Sequence, residues 1–88
     1  MYDEAAVGAL QKVRRVIESL GPAILFRKCY GVLNAIEIQI EDGRYRTEAI
    51  VRLGEALRET AVFYGVDSRV QNQLAQELVT FMRNLKKD

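Results

Sequence analysis

Any chemistry in this 88-residue chain has to be done without histidine, which is absent and with it the usual general base and commonest metal ligand. A single cysteine, Cys29, excludes an internal disulfide or a thiolate cluster. Its neighbours in helical projection are apolar, whereas a reactive thiolate wants an electropositive, partly exposed setting, so Cys29 reads as a small core hydrophobe. Glu37 and Glu41 stand one helical turn apart, the spacing at which two carboxylates share a proton or hold a cation. Two carboxylates supply fewer oxygens than a hard cation takes, and they read as a solvated edge. Neither G-x-x-x-x-G-K-[ST] nor G-x-G-x-x-G occurs, and Ser19, Thr47, Thr60, Ser68 and Thr80 have no histidine to activate them. No catalytic residue, metal ligand or cofactor is expected, and the chain is read as non-enzymatic.

What remains is recognition. Arg44-Tyr45-Arg46 places two cations around an aromatic ring that could stack on a base, anchor a protein partner, or fold back over the end of the domain. Arg44 or Arg46 could also hold a small anionic ligand between subunits. Thirteen Lys and Arg against twelve Asp and Glu leave a net charge of +1, so no bulk field draws the chain to nucleic acid or an anionic membrane.

The elements that would position these groups are helices. Hydrophobic residues make up 49% and charged residues 28% of the chain, enough to bury one core and too balanced for disorder. In residues 3–20, Ala6, Leu10, Val13, Ile17 and Leu20 recur at steps of three and four, with Gln11, Arg14, Arg15 and Glu18 opposite. Asp3 and Glu4 suit the first turn of that helix. In residues 22–42, Leu25, Phe26, Cys29, Val32, Leu33, Ile36 and Ile40 fall within an arc of about 120°. Residues 46–64 place Ala49, Ile50, Leu53, Ala56, Leu57, Ala61 and Tyr64 on one face. Residues 68–87 place Val70, Leu74, Leu78, Phe81, Met82 and Leu85 on another. Ser68-Arg69-Val70-Gln71 fits a capping box with Ser68 as N-cap, and Lys86 and Lys87 suit the far end of the dipole.

Gly21-Pro22, Gly43 and Gly65 end helical patterns and leave very short connections. The expected fold is an all-α, antiparallel four-helix bundle forming a single domain over residues 1–88. A rival reading is α+β: Ile36-Glu37-Ile38-Gln39-Ile40-Glu41 alternates with period two, and Asp42-Gly43 is a favoured hairpin turn, giving a β-hairpin over 36–49.

The segment from Tyr30 to Leu57 comprises a helix, Glu41-Asp42-Gly43-Arg44-Tyr45, and a helix carrying Ala49, Leu53 and Ala56. It resembles the central hairpin of flagellar-type export chaperones, small helical bundles that sheath a partner's helix. The likeness covers about a third of the chain and serves as an analogy for how such a bundle works.

Ile24, Tyr30 and Ile38 on the second helix, and Val51 and Val62 on the third, point away from the main stripes. Gathered into a patch they would mark an interface. The sequence is therefore read as a protein–protein interaction module, an adaptor, chaperone or inhibitor of a larger protein of the kind phage and accessory regulators provide. Its partner would be another protein or a second copy (a homodimer), bound by Tyr30, Ile38, Val51 and Val62 with Arg44, Tyr45 and Arg46 as anchor. The alternative is a small DNA-binding regulator using a helix-turn-helix-like segment at 57–78, disfavoured by the sparse positive charge of its second helix. The acidic start lacks signal-peptide features. The longest mostly apolar stretch, Pro22 to Ile40, is broken by Arg27, Lys28, Asn34, Glu37 and Gln39. A cytoplasmic protein without a membrane span is the expectation.

Overall fold

The computed structural model describes residues 4–85 and folds as four helices: α1 (Glu4–Leu20), α2 (Ala23–Asp42), α3 (Thr47–Phe63) and α4 (Ser68–Arg83). Each packs on its two neighbours in a closed ring, α1 on α2, α2 on α3, α3 on α4 and α4 on α1, with α1 and α4 the most intimate pair. The molecule measures 36 × 21 × 19 Å, and a 20-residue helix is about 30 Å long, so the helices run along the long axis. This is the antiparallel four-helix bundle that the stripes predict. Asp3, Lys86 and Lys87, assigned to helix ends from sequence, lie outside the described residues.

The stripes become the core. Leu10, Val13 and Ile17 of α1, Leu25, Leu33, Ile36 and Ile40 of α2, Ile50 and Leu57 of α3, and Leu74, Leu78 and Phe81 of α4 are all essentially inaccessible. No charged residue is buried among the described residues, and no buried side-chain nitrogen or oxygen there is left without a hydrogen-bond partner. Helix α1 also buries Val7, Ala9 and Val16, because in a ring of four each helix is covered on both flanks. Leu20 departs from its stripe: it is the last residue of α1 and is 53% exposed, since the chain turns away at Gly21-Pro22 before a neighbour can cover it.

The β-hairpin over 36–49 does not form. Helix α2 continues to Asp42, and Gly43 then takes a left-handed conformation (φ +76°), its N–H donating to the carbonyls of Gln39 and Ile40 at 3.1 Å each. The dipeptide that suits a hairpin turn equally suits a helix C-cap, because both need positive φ at the glycine. Burial decides between them, since a ribbon would pull Ile36 and Ile40 out of the core.

The N-terminus of α4 differs from the expected capping box by one residue. Asp67, not Ser68, is the N-cap, its carboxylate accepting the Arg69 N–H at 2.7 Å. Gln71 turns its side-chain amide back to the Val66 carbonyl at 2.9 Å, closing the turn from the other side. Between α3 and α4, Gly54 permits close approach: a methyl group there would come within 2.8 Å of the Met82 Cε.

Candidate interaction surface

Alternation of direction puts the C-termini of α1 and α3 and the N-termini of α2 and α4 at the same end of the bundle. That end carries Leu20, Ile24, Val62 and Phe63, all exposed. Phe63, the last residue of α3, is 80% exposed and stacks edge-to-face on Tyr64 with ring centroids 5.0 Å apart. Leu20 shares a shallow depression of about 400 Å³ with Asp67, Arg69, Val70 and Gln73, so the apolar end has a polar margin. A smaller cleft of about 70 Å³ lies between Arg58, Ala61 and Val62 of α3 and Gln71, Asn72, Leu74 and Ala75 of α4. Ligand pockets are commonly about 300–1,000 Å³ and bury most of their occupant, and both hollows are open instead.

The outward face of α2 forms a second apolar surface. Tyr30 is half exposed and packs edge-to-face on Phe26, 5.7 Å between centroids. Ile38, which no core stripe accounts for, is 66% exposed on the side of α2 away from the core. Of the residues expected to contact a partner, Tyr30, Ile38 and Val62 stand at the surface, as do Arg44 and Arg46 in the α2–α3 connection. They do not form one patch, because Val62 and Arg44 lie at opposite ends of the bundle.

Two expected contact residues are placed elsewhere. Tyr45 is only 6% exposed and belongs to the core, because the four-residue connection folds its ring back over the bundle end while Arg44 and Arg46 point to solvent. The Arg-Tyr-Arg anchor is thereby reduced to its two cations. Val51 is half buried against the core, on a flank of its helix covered within the ring.

Phe63 and Val79 were not singled out from sequence, although the arithmetic that flagged Ile38 finds Phe63 about 220° around the helix from Ile50. Leu20 was assigned to a core stripe, and nothing in helical periodicity says that the terminal residue of a stripe lies past its neighbours' reach.

Groups with chemical potential are engaged or shielded. Cys29 is buried, and removal from water pushes its thiol above the ordinary range, the opposite of what nucleophilic use requires. Glu37 is not on a solvated edge with Glu41. It accepts from the Arg14 guanidinium at 3.1 Å and the Gln11 amide at 3.4 Å across the α1–α2 interface. Among the described residues no group of three or more Cys, Asp or Glu side chains is placed to hold a metal ion. Among the described residues no helix is long and apolar enough to cross a membrane.

Fold and surface together define a class: a small four-helix bundle with a charge-free core and apolar side chains standing on one end and on one outer helix face. No protein-family model, curated protein or solved structure matches the chain.

Proposed function

We propose that the protein is a non-enzymatic interaction module, working as an adaptor, chaperone or inhibitor by docking its apolar end onto a protein partner. The observation that carries this reading is that Phe63, 80% exposed, and Val62 stand at the same end of the bundle as the exposed Leu20, on a bundle whose core is complete without any of them. Large apolar side chains at one end of a domain, with Asp67, Arg69 and Gln73 beside Leu20, match the mixed apolar and polar make-up of a protein interface, where aromatics such as Phe63 are enriched. Arg44 and Arg46, at the other end, would serve as a separate polar contact.

The test is affinity capture from the native host with Phe63→Asp and Leu20→Asp as controls. A partner retained at about 0.5 M salt, where exposed charge pairs are screened, and lost in both variants supports the reading. A partner held equally by both variants overturns it.

One observation favours a second reading, a nucleic-acid contact through α4. Its outward face carries Arg69, Asn72, Gln73, Gln76 and Arg83, all exposed and of the types that bond to base edges and phosphates. Helix α4 lies alongside α3, meeting it near Ala61 and again at Gly54, rather than crossing it as in a helix-turn-helix. A duplex-DNA gel shift that weakens steeply with salt and disappears in Arg69→Ala and Arg83→Ala would place this reading first.

A further inference from the structure

The outer face of α2 carries a seven-residue repeat. Ile24, Gly31 and Ile38 recur at seven-residue spacing and fall within an arc of about 40° on the side of the helix away from the core. All three are exposed, and a methyl group added at Gly31 would meet no atom within 4 Å. Gly31 is thus a glycine in the middle of an exposed helix, a position where alanine is intrinsically better unless another backbone must come close. The pattern is symmetric: Ile24 and Ile38 lie equally far from Gly31 on either side.

Charge gives the direction. Arg27 and Lys28 lie in the N-terminal half of α2, and Glu41 and Asp42 in its last turn, so the helix is basic in one half and acidic at the end of the other, where Glu41 and Asp42 also oppose the helix dipole. All four side chains are exposed, and the ion pairs Arg14–Glu37 and Arg52–Glu48 involve none of them. A second α2 laid antiparallel brings its acidic half over this basic half and its own basic half over this acidic one. A parallel copy would set like over like.

We infer that the outer face of α2 binds a second copy of this chain, two antiparallel α2 helices crossing at Gly31 with Ile24 of each packed on Ile38 of the other. The inference deepens the reading of the exposed apolar residues as docking surfaces and assigns the α2 face to self-association, leaving the end around Phe63 to another protein. A seven-residue period is what a left-handed helix pair requires, and glycine at the crossing lets the axes approach.

Sedimentation equilibrium of the full chain should give twice the 10.0 kDa subunit mass. Ile38→Asp and Gly31→Leu should each weaken the dimer by at least about tenfold, with helical content by circular dichroism unchanged. Direction is read by cross-linking in a Cys29→Ala background. Ile24 and Ile38 of one chain are about 21 Å apart along the helix, too far for an internal disulfide. The double variant Ile24→Cys/Ile38→Cys should therefore form a disulfide-linked dimer under mild oxidation far faster than either single variant.

A chain that sediments as 10.0 kDa at every concentration overturns the inference, as does a dimer indifferent to Ile38→Asp, or one cross-linked as fast by Ile24→Cys alone. These outcomes are separate from the fate of the partner reading, which Phe63→Asp tests on α3, at a residue outside the α2 contact even though Ile24 stands at the same end of the bundle.

Discussion

Arg14 of α1 and Glu37 of α2 meet at 3.1 Å across a helix–helix interface, with side chains only 15% and 25% exposed. Arg52 and Glu48, one turn apart on α3, meet more closely, at 2.6 Å, yet are 75% and 70% exposed. Burial rather than distance decides which pair contributes to stability, because water and salt screen the second. A double-mutant cycle by urea denaturation should give a coupling of about 1 kcal/mol for Arg14–Glu37 and less than about 0.5 kcal/mol for Glu48–Arg52. Arg14→Ala alone should cost more than Glu37→Gln, since it leaves a half-buried carboxylate held only by Gln11.

The start of α4 gives a sharper contrast. The Asp67 carboxylate accepts the Arg69 N–H, whereas Ser68 is already inside the helix with an exposed side chain. Asp67→Ala should lower stability by about 1 kcal/mol, and Ser68→Ala should change it by less than about 0.5 kcal/mol. Thermal melts of the two variants check this, and the reverse order would move the cap back to the serine.

Arg44, Tyr45 and Arg46, three of the four residues of the α2–α3 connection, separate structure from recognition. Tyr45 is in the core, so Tyr45→Ala should cost about 3 kcal/mol through the cavity it leaves. Arg44→Ala and Arg46→Ala touch only solvent and should shift stability by less than about 0.5 kcal/mol. An effect of the arginine variants on partner affinity, without an effect on melting, would assign the cations a binding role.

The helices were legible from sequence because amphipathic periodicity and burial have the same cause: whatever recurs at steps of three and four is what a neighbour can cover. Ile38 shows the converse, since a residue outside every stripe is found standing in solvent. Legibility failed where geometry beyond one helix decides. Tyr45 and Leu20 exchanged the environments that pattern assigns them because a loop's path and a helix's last residue depend on how the ends of the bundle close. Val51 failed for a related reason: a helical wheel gives the angle of a side chain but not how much of that angle two flanking helices occupy. The apolar end itself was invisible in sequence, because Leu20, Ile24, Val62 and Phe63 are set at one end of the bundle only by the alternation of helix direction.

Cys29 links burial to pH. In the folded chain the thiol is 1% exposed, and desolvation raises its pKa above the ordinary value. In the unfolded chain it ionises near pH 8.5. Below that pH both states hold the proton, and the contribution of the neutral buried thiol to stability is fully present. As pH rises past the unfolded value, the unfolded state loses its proton first and falls in free energy relative to the folded one. Stability therefore falls until the folded thiol also ionises. Urea denaturation of the wild type and Cys29→Ala in parallel isolates this group, because every other ionisable side chain is common to the two proteins. The stability advantage of the wild type over the variant should hold constant up to about pH 8 and shrink at higher pH. Over the same range the native thiol should resist alkylation by iodoacetamide until urea exposes it, because the thiolate that would react forms only once α2 leaves the core.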